Sequence, residues 1–336
     1  MTIEASKATP PPPSGARFVE LIGDRLECME EIFGRSLSSD VPFIEEAGKY
    51  IFQGGGKRMR PALVLLSATM LEHDGDEEIT YAAVVELIHS ATLVHDDIID
   101  HATLRRSKPT VNRIWGNSRT VLLGDWLYTT AMNMALSHGN LDVVRRLCEA
   151  TLDMTEGELL ALDRLGAIDL SREEYFSIID RKTAGLFAAA ASLPALMVPR
   201  RPDAVEALAA YGRALGTCFQ LVDDLLDFTA RERELGKPVL SDLKEGKLTL
   251  PLLLALPRID DARRGWIASV LEDGAFSRVE PDRILELVAA EGTLEETREL
   301  ARGYADEAQR QLAFFPPSEA RDALELAPDF VLHRRH

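Results

Sequence analysis

The sequence predicts one all-α domain, and three observations carry that expectation. Apolar residues recur at the helical period along nearly the whole chain, while strand-type alternation is almost absent. Proline and glycine punctuate the chain at short intervals, yet no stretch shifts composition as an interdomain linker would. Two aspartate clusters of one design, Asp96-Asp97-Ile98-Ile99-Asp100 and Asp223-Asp224-Leu225-Leu226-Asp227, each close an apolar run that reads as helix. A length of 336 residues alone would favour two domains. The flanks of the two clusters show no sustained repeat, however, so one helical domain over 17–336 is the better reading.

Each element follows from local signals. Residues 1–16 include Pro10 to Pro13 and no apolar core, which predicts a disordered tail rather than a signal peptide. Glu4 and the absence of arginine before Arg17 disfavour a mitochondrial transit segment. A helix is expected from about Gly15 to Phe33 and another after Pro42, interrupted by Gly54 to Gly56. Pro61 fits the first turn of a third helix that runs to Leu71, because its missing N–H costs nothing there. A long apolar helix from Ile79 to Asp100 carries the first aspartate cluster at its C-terminal end. Beyond a loop at 101–112, helices are expected near 118–138, 141–163, 171–193, 203–229 and 248–256. Leu235 to Lys247, rich in Gly, Pro and Lys, reads as a mobile loop. Thr293-Leu294-Glu295-Glu296 carries a capping-box pattern that would open a helix to about Phe314. The region beyond 257 reads as scaffold.

Composition excludes several classes. With 55 Asp+Glu against 38 Lys+Arg and a net charge of −17, the chain lacks the basic surface a nucleic-acid binder needs. Cys28, Cys148 and Cys218 are odd in number and scattered, so neither a disulfide framework nor a cysteine zinc site is indicated, and a reducing cytoplasm fits. No apolar run approaches the length of a membrane span.

The chemistry sits in the clusters. Helical spacing stacks the first and last carboxylates of each D-D-x-x-D one turn apart on a single face. Six acids in apolar surroundings repel one another and are costly to desolvate unless divalent cations neutralise them. Mg²⁺ takes oxygen ligands, typically one or two carboxylates plus phosphate and water. One such cluster reads equally well as a solvated helix end; two, each behind an apolar run, point to a Mg²⁺ trap for a diphosphate. Gly54-Gly55-Gly56-Lys57-Arg58-Met59-Arg60-Pro61 adds glycines that permit close approach to an anion, a helix start, and the charges of Lys57 and Arg60. By itself it is also a plain turn with exposed bases, and it lacks the order of a nucleotide P-loop. Arg105 and Arg106, just past the first cluster, suit bidentate capture of two phosphate groups. His89 lies two turns before Asp96 on the same face. Glu86-x-x-His89 matches half of a di-iron helix-bundle site, but no second such unit is present. His95 reads as a packing residue or a partner behind the ligands.

Taken in order, G-G-G-K-R-M-R-P, L-I-H-S-A-T-L-V-H-D-D-I-I-D, L-R-R-S-K-P-T, R-K-T-A-G-L-F, G-T-C-F-Q-L-V-D-D-L-L-D-F and G-K-P-V-L-S-D-L-K-E-G-K-L-T-L-P resemble the trans-isoprenyl diphosphate synthases, or polyprenyl synthetases, over about residues 50 to 256. The resemblance implies a single-domain bundle of the isoprenoid synthase type around a central apolar cavity, usually homodimeric, which joins isopentenyl diphosphate head to tail onto an allylic diphosphate. It implies three Mg²⁺ per site on Asp96, Asp100 and Asp223, with Asp97, Asp224 and Asp227 as direct ligands or as partners behind them. Isopentenyl diphosphate would meet Lys57, Arg60, His89 and Arg106; the allylic diphosphate would meet Arg105, Lys182, Thr183, Gln220, Lys237 and Lys247. Ser107 departs from the glycine usual after the arginine pair.

Product length follows from the same resemblance. Thr92 and Ala91 precede Asp96 by four and five positions, about one turn deeper along the helix. Members of the family that stop at short products carry aromatic side chains there; here both residues are small, which implies a polyprenyl diphosphate longer than C20, of the quinone side-chain type. Met132 and Leu136 are candidates for the cavity floor, and release of such a product could involve transient membrane contact. The alternatives are a geranylgeranyl or farnesyl diphosphate synthase, a cyclising terpene synthase, and a non-catalytic partner subunit. A cyclase normally replaces the second D-D-x-x-D, and a partner subunit tends to lose charged site residues; neither loss occurs here.

Overall fold

The computed structural model describes residues 14–105, 108–198, 202–229 and 239–334. The chain folds as an all-helical bundle. Its first helices are α1 (Ser14–Ser36), α2 (Pro42–Gln53), α3 (Met59–Met70) and α4 (Glu77–Ile99). There follow α5 (Val111–Trp115), α6 (Asn117–Leu136), α7 (Leu141–Asp163), α8 (Arg172–Ile179), α9 (Gly185–Met197) and α10 (Pro202–Thr229). The C-terminal third adds α11 (Ser241–Lys244), α12 (Leu250–Ala255), α13 (Asp261–Asp273), α14 (Pro281–Ala290), α15 (Thr293–Leu312) and α16 (Glu319–Leu332). Among the described residues, no helix is long and apolar enough to cross a membrane.

The centre of the bundle is built from helices that are apolar on nearly every side. α4 packs on α3 and α6, and α10 packs on α9 and α15. From Tyr81 to Ile88 every residue of α4 is buried, as a helix surrounded by other helices requires. α9, Gly-Leu-Phe-Ala-Ala-Ala-Ala-Ser-Leu-Pro-Ala-Leu-Met, is rich in small side chains that let α10 approach closely. The contact is tight at Gly212 and Gly216: an added Cβ would lie 2.3 Å from the Phe187 carbonyl oxygen and 2.7 Å from the Ala184 Cα.

The structure departs from the sequence expectations at five points. α1 begins at Ser14, inside the stretch expected as tail, while residues 1–13 lie outside the described ones. The expected loop 101–112 contains a short antiparallel ladder, β1 (Leu104–Arg105) with β2 (Lys108–Pro109), and the start of α5. The helix expected over 171–193 is not continuous: a π-helical turn at Asp180–Ala184 separates α8 from α9. The capping-box pattern at Thr293 is not used, because Gly292 in a left-handed conformation caps α15 and Thr293 is already helical. A reciprocal box forms instead at Ser171 and Glu174, where it opens α8. Of the expected loop 235–247, residues 235–238 lie outside the described ones and Ser241–Lys244 form the one-turn α11.

Candidate active site

Both aspartate clusters open into one cavity. It encloses about 1170 Å³ between α4, α7, the π turn, α10 and the segment 239–249, and is lined by Asp96 and Asp100 from the first cluster and Asp223 and Asp224 from the second. Asp96 lies in the last turn of α4 and Asp100 caps that helix. There the helix dipole is negative and adds to the cost of anionic side chains, so the position calls for a cation. Lys247 reaches across from the opposite wall and places its Nζ 3.0 Å from an Asp100 oxygen.

The six aspartates divide by what they touch. Asp97 is 3% exposed and turned away from the cavity; its Oδ1 accepts from Arg105 Nε at 2.8 Å. Asp227 also points into structure: Oδ1 accepts from the Ser241 N–H at 3.0 Å and from Ser241 Oγ at 2.8 Å, which fixes the segment that carries Asp242 and Lys247 over the cavity. Asp224 accepts from Gln220 Nε2 at 2.9 Å and from the buried Tyr175 hydroxyl at 2.5 Å. Asp96, Asp100 and Asp223 are the carboxylates with the most direct access to the space.

The π turn explains how Lys182 and Thr183 both reach the site. One extra residue in the helical turn re-aims two successive side chains, a device common at functional sites. Lys182 and Thr183 both line the cavity. Lys182 pairs with Glu158 of α7, and Thr183 Oγ1 donates to Gln220 Oε1 at 2.9 Å, extending the Gln220–Asp224–Tyr175 chain. The turn fits closely on α7, where a Cβ at Gly157 would fall 2.7 Å from the Lys182 backbone nitrogen. Gly157→Ala is therefore expected to destabilise the fold by about 1–3 kcal/mol through overpacking, and to lower turnover by displacing Lys182. Thermal melts and steady-state rates on the variant check both effects.

The remaining predicted ligands are not all gathered. Arg60, His89, Arg105, Gln220 and Lys247 line the cavity with Lys182 and Thr183. Arg60 is stacked over Phe187 at 4.4 Å, and burial pushes its guanidinium down to about 10. Lys57 is exposed and is not among the lining residues; Arg106, Ser107 and Lys237 lie outside the described residues. Thr92 borders the cavity, whereas Ala91 is 3% exposed and packed into the core. Neither Met132 nor Leu136 borders this cavity. His95 contacts the Val121 carbonyl at 3.1 Å, and its ring fills the space beside Gly124.

Four residues of the site escaped sequence reading. Arg58, inside the glycine-rich motif, adopts a left-handed backbone (φ 48°) and ties α1 to α4 through Glu30 and Glu86, so it organises the motif and does not face the cavity. Glu158 and Asp242 stand alone in the sequence, without a cluster to announce them. Arg334, in the region read as scaffold, lies 3.6 Å from Asp223 and 4.2 Å above the Phe219 ring. Only the tertiary fold brings Glu158, Asp242 and Arg334 to the aspartates.

Electrostatics favour a cation among these acids. Burial raises the Asp96 carboxyl to about 6, with Lys182 opposing and Glu158 and Asp100 adding to the rise. Asp224 is pushed up to about 7 by burial, against the hydrogen bonds from Tyr175 and Gln220. Asp242 lies well above the ordinary carboxylate range through burial and its neighbours Asp227 and Asp224. Burial works to lower the Lys247 ammonium, but Asp100 and Glu245 more than offset it. An oxygen-only set of clustered carboxylates held off their normal ionisation fits a hard divalent cation such as Mg²⁺.

A pH dependence follows with a definite sign. A carboxyl whose folded pKa exceeds its ordinary 3.8 keeps its proton longer in the folded chain, so folding gains from protonation. That gain is lost as pH rises from about 4 through about 7, so the metal-free protein becomes less stable across this window. Mg²⁺ requires the deprotonated ligands and reverses the loss. Melting temperatures with and without Mg²⁺ should therefore diverge as pH rises; parallel curves would mean that these acids are not strained by burial.

Comparison with known proteins decides the family. The polyprenyl synthetase family model matches residues 41–288, most of the chain and all of the cavity's acidic motifs. The chain belongs to the polyprenyl synthetase family. Polyprenyl synthetases similar to it include the octaprenyl diphosphate synthase of Escherichia coli (strain K12), 43% identical over 289 residues, which cover 86% of this chain and 89% of that one. The solanesyl diphosphate synthase 1 of Arabidopsis thaliana chloroplasts is 35% identical over 328 residues, 96% of this chain and 79% of that one. The crystal structure of a polyprenyl synthase from Caulobacter crescentus CB15, complexed with calcium and isoprenyl diphosphate, matches with a TM-score of 0.91 and 37% identity over 97% of this chain and 100% of that chain.

Proposed function

We infer that the protein is a long-chain trans-polyprenyl diphosphate synthase, which condenses isopentenyl diphosphate head to tail with an allylic diphosphate to give a product longer than C20. The observation that carries this reading is the shared cavity: two acidic helix ends, Lys182, Lys247 and Arg105 surround one space that the small side chain of Thr92 also lines. The names of the octaprenyl and solanesyl relatives support the length.

Asp96, Asp100 and Asp223 are the residues we assign to Mg²⁺, three ions in all, with Asp97, Asp224 and Asp227 holding the surrounding structure. When bound, Mg²⁺ supplies electrostatic stabilisation of the departing diphosphate. Lys182, Arg105 and Lys247 add positive charge at the same place, and Thr183 and Gln220 offer hydrogen bonds. The allylic carbon–oxygen bond breaks with its electron pair leaving on the diphosphate. The double bond of isopentenyl diphosphate, whose diphosphate we assign to Arg60 and His89 together with Lys57 and Arg106, then attacks the allylic cation. Proton loss to the departing diphosphate restores an allylic product. Apolar walls keep water from quenching the cation.

A homodimer is part of the proposal. Val121 and Leu122 of α6 and Leu152 and Leu159 of α7 are exposed large apolar residues, 42–66% accessible, on neighbouring helices. Such a face suits burial against a second copy. Incubation of purified protein with Mg²⁺, labelled isopentenyl diphosphate and a series of allylic primers, followed by dephosphorylation and chain-length measurement, tests the function. Products no longer than geranylgeranyl would overturn the long-chain reading, and no condensation would overturn the synthase reading itself.

A further inference from the structure

At the end of α4 remote from the aspartates, the turn from α3 gathers a second set of ligand-type side chains. α3 ends in a pair of C-terminal hydrogen bonds: His73 N–H donates to the Ala68 carbonyl at 3.0 Å and Glu72 N–H to that of Thr69 at 3.1 Å, with Glu72 left-handed at φ 54°. This fixes His73 against the first turn of α4. His73 Nε2 lies 3.0 Å from Glu77 Oε2 and 3.4 Å from Glu78 Oε2, and one donor atom from each of the three residues falls within 4.8 Å of the others. Zinc bonds to imidazole nitrogen and carboxylate oxygen are about 2.0–2.2 Å, which places tetrahedral ligands roughly 3.3 Å apart. The observed spacings match the edges of such a shell.

A second, independent feature points to a missing small ligand. Tyr81 follows Glu77 by one turn on the same face of α4 and is 1% exposed, yet its hydroxyl has no hydrogen-bond partner among the described residues. Buried hydroxyls are nearly always paired, so an orphan of this kind marks a place for water or another bound group. Its ring lies 5.4 Å from that of His138, which belongs to the turn between α6 and α7. Charge also fits. Glu78 is fully buried against Arg25, and Arg25 is engaged by Thr69 Oγ1 at 2.8 Å. With Asp76 and Glu77 nearby, carboxylates outnumber the one permanently charged base, Arg25, and a divalent ion would offset that excess.

We propose that His73, Glu77 and Glu78 form a zinc-type site, with water in the fourth position and the Tyr81 hydroxyl bonded to the ion's water or to a ligand carboxylate. The imidazole donor separates this site from the oxygen-only aspartates, since it favours Zn²⁺ or Co²⁺ over Mg²⁺. The site pins the α3–α4 turn and takes no part in the prenyl transfer.

Co²⁺ titration of the metal-stripped full chain tests it, with Mg²⁺ and inorganic pyrophosphate saturating the aspartate clusters. One equivalent of Co²⁺ should develop the intense visible bands of four-coordination and raise the melting temperature, and Zn²⁺ should displace it. His73→Ala and the more conservative Glu77→Gln should each weaken this binding by more than about a hundredfold, since even residues behind metal ligands are worth 10–100-fold. Both variants should retain prenyl transfer with Mg²⁺. Absence of the bands, their survival in both variants, or their loss in Asp96→Asn with retention in Glu77→Gln would overturn the proposal.

Discussion

Asp96→Asn should lower prenyl transfer by at least about 10²–10³-fold, the usual cost of removing one group that stabilises charge developing in a transition state. The substitution keeps the shape of the side chain and deletes its charge. Because burial already holds the Asp96 carboxyl near 6 in the metal-free protein, the folded chain resists ionisation at this position. Removing the charge should leave the metal-free protein as stable as the parent or more so above about pH 7. Activity and stability are thus expected to move in opposite directions, which a structural role for Asp96 would not produce. Steady-state rates with Mg²⁺ and melting curves of the metal-stripped variant at alkaline pH read both. Substantial turnover in this variant would remove the first cluster from the mechanism.

Thr92→Phe should shorten the product while leaving the first condensation intact. Thr92 borders the cavity one turn below Asp96, and its Oγ1 donates to the His89 carbonyl at 2.8 Å. A phenyl ring there would project into the space the growing chain needs. The neighbouring Ala91→Phe is a different experiment, because Ala91 is packed into the core and a ring would overfill it at about 1–3 kcal/mol. Chain-length analysis of the two variants separates a steric stop from a misfolded core. Unchanged product length in Thr92→Phe would mean that the chain follows another route.

The features legible in the sequence were those with local physics behind them. Apolar periodicity located α4 and α10, and the repeated D-D-x-x-D placed oxygen ligands at their ends. Tertiary partners were not legible. Nothing near Asp97 announces that it binds Arg105 instead of facing the cavity, and nothing near Asp227 announces its grip on Ser241. The π turn was hidden because Asp-Arg-Lys-Thr-Ala is compatible with an ordinary helix; its register is set by close packing against Gly157 and Gly216. Thr293 failed as a cap because Gly292 reached the left-handed geometry at less cost.

The contact of Arg334 with Asp223 and Phe219 couples the acidic end of α10 to the outer helices of the bundle. α16 leads directly to Arg334 and packs on α1 and α3 as well as on α10. A disturbance of that junction therefore reaches Asp223 through the Arg334 guanidinium, so substitutions far from the cavity can change how firmly the second cluster holds a cation.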